Sequence, residues 1–473
     1  MKKIINEVWA KVDSAAAAEV ITKPQSVSGG VKKPFWSDLH LTNIHLSITP
    51  DVLHQLYQGV FKHLISWCQD LLGADELDRR MRCLPPAYGV RHFRNGISTL
   101  SQISGSERKH MACALLVCLI SKISKETVLV SSYRSLLDFI YLAQYPTHDE
   151  TTLKYMEDAL KVFHANKDVL VKLKICEHLN IPKFHSLLHY VSSIRQFGTT
   201  DNYNTEMFER LHIDFAKDAW RATNHRNELP QMVKWISRQE KMAMFEVWQK
   251  EQQVEANQSL DMDNIGNSVR IAKYPPAPQQ HLVRIQERHK AKGLTTTLAQ
   301  FINNLQPERL RLTRADLSTT WLPFDSLDVY HKCHLKPSSL SDSKEEDDVV
   351  RAIPVIFALP KQFPAVFGGG TAPGYWPKGP LAYIEWYSRF PSAADVTHMM
   401  YTLRKPPLRS NGLPQASIVP LAQIHRTCQL APVFPGGARG VVPPRWESDS
   451  VLDCADSFHV NNWAGMYTYQ TIW

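Results

Sequence analysis

The chain has 473 residues, enough for two or three domains that each bury a core. A hydrophobic fraction of 44% with 12 tryptophans excludes a disordered chain, and a formal net charge of +8 permits nucleic-acid binding without demonstrating it. The longest apolar run, residues 111–120, is about half of the ~20 residues that a bilayer requires, and residues 1–7 lack a signal-peptide core, so the expectation is an intracellular protein off the membrane.

Residues 1–33 carry little pattern and read as a frayed start. Residues 43–48 alternate as a short strand, and Thr49-Pro50 supplies an N-cap and a proline for the first helical position. The helix that follows places Leu53, Leu56, Val60, Phe61, Leu64, Ile65 and Cys68 on one face and stops at Gly73. Helical spacing recurs over 107–123, 126–144, 151–173, 185–197, 205–222 and 229–253. Residues 256–294, with Tyr274-Pro275-Pro276-Ala277-Pro278, read as a linker. Beyond it, a short helix is expected at 297–304, a solvated acidic loop at 342–348, and strands at 350–359, 381–386, 398–403 and 417–424. The region 295–473 is therefore expected to be a separate β-rich domain, a small β-barrel or sandwich. The fold class is α+β, predominantly helical.

The eight cysteines are scattered without a paired spacing and read as reduced, buried thiols. His185 and His189 could share a zinc ion from one helix face, but no third ligand stands nearby. Gly368-Gly369-Gly370 precede no strand–helix unit with a lysine, so they do not form a phosphate loop. No small-molecule substrate is indicated.

Chemistry concentrates in two blocks. In Ile48-Thr49-Pro50-Asp51-Val52-Leu53-His54-Gln55, Asp51 stands at the mouth of a helix, where it serves equally well as a dipole partner or as a presented carboxylate. In Asn202-Tyr203-Asn204-Thr205-Glu206-Met207-Phe208-Glu209-Arg210-Leu211-His212, a wheel puts Phe208, Leu211, Phe215 and Ala219 on a buried stripe. Glu206 points away from that stripe, flanked by Glu209, Arg210 and Lys217. Two carboxylates delivered from distant segments suit a phosphoryl-transfer site that holds divalent metals. Arg79, Arg80, Arg82, Arg91, His92 and Arg94 interleave with Tyr88 and Phe93, a mixture that suits backbone contact and base stacking.

The wording of both blocks resembles the fungal Plavaka transposases of the Kyakuja–Dileera–Zisupton group, and the resemblance runs from Pro34 to Tyr469. It implies a partial RNase H-like core over 34–255, with a helical domain inserted at about 74–198. It implies Asp51 and Glu206 as catalytic acids and ligands of Mg²⁺ or Mn²⁺, with Glu209 the rival third acid. His54, Arg91, Arg94, Arg210 and Lys217 would face DNA at transposon ends, in the nucleus, in a possible homo-oligomer. Only Asp13 and Asp38 precede Asp51, and neither follows a suitable strand. The expectation is a chain that starts inside the catalytic fold, lacks the first acid and is inactive or nearly so. The alternatives are a non-catalytic DNA- or chromatin-binding protein derived from such a transposase, and a helical scaffold with a β interaction module.

Overall fold

The computed structural model of the protein describes residues 2–25, 27–33, 35–39, 43–123, 127–257, 269–319, 322–336, 348–358, 362–363, 370–436 and 440–472. Its chain divides into two units, residues 1–50 and 51–473.

In the first unit, where the sequence reads as frayed, two helices form: α1 (Lys2–Trp9) and α2 (Ala15–Thr22). Ser14 caps α2 by accepting the Ala17 amide. The Trp9 indole N–H donates to the Gly29 carbonyl at 2.7 Å. Thr22 lies so close to Gly29 that a Cβ there would fall 2.3 Å from its Oγ1. Residues 43–48 alternate like a strand, yet Ile44–Ser47 forms a helical turn, α3. The backbone closes on itself instead: the Ser47 amide and hydroxyl both donate to the Asn43 carbonyl, so its polar groups are satisfied without a strand partner.

The second unit opens with a π-helical stretch, Val52–Val60, that runs straight into α4 (Phe61–Leu72). Gly73 stops α4 with φ 81°, which a residue bearing a Cβ adopts only with strain. Next come α5 (Ala74–Cys83), α6 (Gly105–Ile123), α7 (Thr127–Leu142), α8 (Glu150–Asn166), α9 (Val169–Lys172), α10 (Pro182–Ser186) and α11 (Tyr190–Phe197). As its apolar middle requires, α6 is buried, with Leu115, Leu116, Val117, Cys118 and Leu119 inside. Helices α4 to α11 share one core around Phe61, Trp67, Tyr133, Phe139, Phe163 and Tyr190.

The chain then forms α12 (Thr205–His212), a π-helical turn over Ile213–Asp218, α13 (Ala219–Arg221) and the long α14 (Glu228–Asn257). The region that reads as a linker carries β1 (Val269–Ile271), β2 (Ala277–His281) and α15 (Leu282–Arg288), followed by α16 (Leu294–Leu305). Both strands pair with β3 (Ser326–Leu335), a ten-residue strand absent from the sequence reading. After β3 come β4 (Asp348–Ala358), the short pair β5 (Gln362–Phe363) and β6 (Gly370–Thr371), then β7 (Leu381–Glu385), β8 (Thr402–Arg404), β9 (Ala416–Pro420), β10 (Leu430–Pro432) and β11 (Ser457–Val460).

The main sheet is antiparallel with order β1-β3-β4-β7-β9. It is open, and among the described residues no pairing closes it into a barrel. Its register shifts between Tyr330 and Lys332. Leu327 and Val329 therefore meet α15 and α16, while Cys333 and Leu335, of the same parity, enter a second cluster with Ile356 and Leu421. The acidic loop expected at 342–348 lies outside the described residues except for Asp348, as do Gly368 and Gly369. Asp348 is buried at the start of β4 and accepts the Thr427 amide and hydroxyl.

The second sheet, β10-β11-β8, keeps only a small cluster of its own, in which Phe458 and Leu430 meet Val451 and Ala455. Met400, Ala431, Phe434, Val442, Trp463 and Tyr469 complete the helical core instead. Tyr141 donates to the Trp463 carbonyl at 2.6 Å, and Tyr469 donates to Asp138 at 3.0 Å. Arg80, with 0% of its surface exposed, holds Glu76 at 2.8 Å, the Cys118 carbonyl at 2.7 Å and the Ser121 hydroxyl at 2.8 Å. The same guanidinium reaches the carbonyls of Pro435 and Gly440. Region 295–473 is thus split between its own sheet and the core of the helices.

Candidate active site

The first block folds locally around Asp51. Its backbone is extended (φ −116°, ψ 128°) and its carboxylate turns back to accept the His54 amide at 2.6 Å. Asp51 is therefore the helix cap itself, two residues after the Thr49-Pro50 start that the sequence suggests, because a carboxylate satisfies the orphan first-turn amides better than Thr49 could. His54 also sets its ring Nδ1 2.7 Å from the same oxygen. Tyr190 fixes the block from below by donating to the Asp51 carbonyl at 2.9 Å.

The second block arrives from 150 residues away. Asn204 caps α12 by accepting the Glu206 amide at 3.2 Å. Thr205 then gives both its amide, at 3.1 Å, and its hydroxyl, at 2.8 Å, to the other Asp51 oxygen. Burial alone would push the Asp51 carboxyl up. Hydrogen bonds from the His54 and Thr205 amides, and then from their side chains, outweigh it and hold the group below its ordinary value.

The same meeting places the other two acids. Glu209 Oε1 lies 2.9 Å from His54 Nε2, so both ring nitrogens of His54 face carboxylates. Glu206 is paired with Lys109 of α6, whose ammonium stands 5.7 Å over the Tyr57 ring. Lys183 donates to the His54 carbonyl at 2.8 Å. It crosses directly above Gly59, where a Cβ would fall 2.3 Å from its Cδ, so this position admits only glycine without moving the lysine.

Of the residues singled out from the sequence, Asp51, His54, Glu206 and Glu209 meet here. Arg210 and Lys217 lie exposed on the same helical run. Arg91 and Arg94 belong elsewhere. Arg91 pairs with Glu107, which caps α6 through Ser104, and stacks 5.5 Å over Phe93, while Arg94 is exposed in the loop before α6. Arg80 is no surface residue at all, since desolvated carbonyls and Glu76 claim it. The stripe Phe208, Leu211, Phe215 and Ala219 is also not buried as a unit: Phe208 is 56% exposed and Ala219 alone is inside. Sequence reasoning missed Thr205, Lys109 and Lys183. Thr205 carried a signal, lying between a capping Asn and an acidic first turn; the two lysines carried none.

A divalent cation needs oxygen donors that are free to ligate it. Asp51 has both oxygens committed to protein hydrogen bonds, Glu206 faces an ammonium and Glu209 an imidazole. Among the described residues no three His, Cys, Asp or Glu side chains converge as ligands. As arranged, the residues do not fit a bound Mg²⁺ or Mn²⁺. What they do form is a string of fixed charges, with Lys109, Lys183 and Arg210 beside three carboxylates.

Residues 3–68 match the family model described as Plavaka transposase. The match takes in Asp51 and His54 and ends within α4, before the second block. No curated protein and no solved structure matches the chain.

Proposed function

We propose that this chain, Plavaka transposase sequence over residues 3–68, is a transposase-derived protein that binds DNA in the nucleus and does not cleave it as it stands. One observation carries the reading: Asp51 and Thr205, 154 positions apart, are joined by two hydrogen bonds, which gathers Asp51, His54, Glu206 and Glu209 at two helix starts. That gathering supports a partial RNase H-like core interrupted by a helical insertion, with Arg210 and Lys217 on the DNA side. The carboxylates would be metal ligands in an active relative of this design. Here their oxygens are neutralised by protein donors, which supports binding without strand cleavage. No helix among the described residues is long and apolar enough to cross a membrane.

Two measurements test the reading on the full chain. Binding to duplex DNA should weaken steeply as salt rises, with a log–log slope that counts the phosphates neutralised. Supercoiled plasmid incubated with the protein and Mg²⁺ or Mn²⁺ should stay unnicked. Metal-dependent nicking that disappears in Asp51→Ala would overturn the non-cleaving reading, and the absence of any salt-sensitive DNA binding would overturn the DNA reading and favour the scaffold.

A further inference from the structure

Farther along the helical run that carries Glu206 and Glu209 lies an open surface cavity of about 420 Å³, a groove more than an enclosed pocket, lined by Ala216, Lys217, Trp220, Arg221 and Met232. Its volume falls in the ~300–1,000 Å³ range of small-ligand sites. Lys217, Trp220 and Arg221 are spaced i, i+3, i+4, so an aromatic ring and two cations share one face. Trp220 is 48% exposed. Among the described residues Arg221 pairs with Asp218 of the same helical run, at 2.8 Å, and its side chain is 68% exposed, so the guanidinium is available to another anion.

The turn beside the cavity is built to hold the ring. The His225 ring packs against Trp220 with centroids 4.1 Å apart. His225 and Asn227 have φ of 59° and 47°, left-handed conformations that cost energy in a residue with a Cβ. Gln231 from α14 pins the turn by donating to Asn224 Oδ1 at 2.8 Å and to the Arg226 carbonyl at 2.7 Å, and its Oε1 accepts the Asn224 amide. A strained turn braced at three points fixes one side of an aromatic residue that is otherwise open to solvent.

We infer that this cavity takes one unpaired nucleotide of a DNA strand: the base against Trp220, the phosphate between Lys217 and Arg221, with Ala216 and Met232 as the apolar floor. The base must be out of a duplex, because only then is its face free to stack. Trp220 lies 14 residues along the helical run from Glu206; at ~1.5 Å per residue, and less through the π-helical Ile213–Asp218, that is at most about 21 Å, a span of roughly six stacked nucleotides. The cavity would hold a strand end at a fixed distance from the carboxylates. This inference rests on the DNA reading above.

The experiment compares fluorescence anisotropy of three labelled DNAs on the full chain: a blunt duplex, the same duplex with a six-nucleotide overhang, and that overhang with one abasic position. The overhang should bind better than the blunt duplex, and Trp220→Ala should cost it about tenfold while changing blunt binding less than twofold. Trp220→Phe should restore most of the preference, and an unchanged melting temperature in both variants separates stacking from folding. Equal binding of blunt and overhanging DNA, unaffected by Trp220→Ala, would overturn the pocket and leave the DNA reading intact. Failure of all three DNAs to bind would overturn both. A loss of self-association in Trp220→Ala by light scattering, with no change in DNA preference, would assign the ring to contact between copies and overturn the nucleotide site.

Discussion

Two amphipathic regions of this molecule obey the same sequence rule and end in opposite environments. Helices α4, α6 and α7 turn their apolar stripes into a shared core, where Leu115, Leu136 and Phe139 have essentially no exposed surface. Helices α12 and α14 have stripes of similar quality, yet Phe208, Phe245 and Trp248 are each more than half exposed, and from residue 238 to 250 α14 is exposed on every side. Periodicity states which face wants covering; whether a cover exists is decided by what the rest of the chain brings to it. Over residues 238–250 nothing among the described residues shields the apolar side chains of α14, so burial adds little to the stability of this region.

The largest effect that sharpens the contrast sits at Arg80. Arg80→Met should cost about 3–5 kcal/mol in urea unfolding, because Glu76 is left as a buried charge and the carbonyls of Cys118, Pro435 and Gly440 lose their donor. Next comes acid. Burial drives the His459 ring down to about 4, with His398 adding to the effect and Asp395 opposing it. The unfolded chain takes up that proton near pH 6.5 while the folded chain refuses it. Stability should therefore fall by about 3 kcal/mol as pH drops from 6.5 to 4 and level off below, a slope that His459→Asn should flatten in thermal melts.

Smaller is the tie between the two blocks. Thr205→Val should cost about 1–3 kcal/mol by removing a hydroxyl from a mostly buried carboxylate. Asp51 is held below its ordinary value, so its stabilisation is full above about pH 4 and lost as pH falls through the folded value, and Asp51→Asn should remove that acid component. The smallest is Phe245→Ser on α14, expected within about 0.5 kcal/mol of the parent because the ring is already in water. A loss as large as that of a core Leu→Ala, about 2–5 kcal/mol, would mean that α14 is covered after all and would break the comparison.

The helices were legible because their signals are local. Gly73 and the spacing through α6 and α7 place these elements within a few residues of where they fold. Strand β3 was not legible. Its outward residues, Asp328, His331 and Lys332, break the look of alternation, and the register shift after Tyr330 sends later residues of one parity to a different cluster. Asp51 and Glu206 could be named from their helix starts. That Asp51 would be bonded by Thr205, and Glu206 by a lysine from α6, is long-range information that no local pattern contains.

The C-terminal residues also set a clock on synthesis. Trp463 and Tyr469 fill the interior of helices that end at residue 197, so the core cannot close until some 270 further residues have left the ribosome. At ~5–20 residues per second that is roughly 14 to 55 s during which Tyr141, Tyr145 and Asp138 wait without their last neighbours. The final seventy residues act as the latch that closes the helical core.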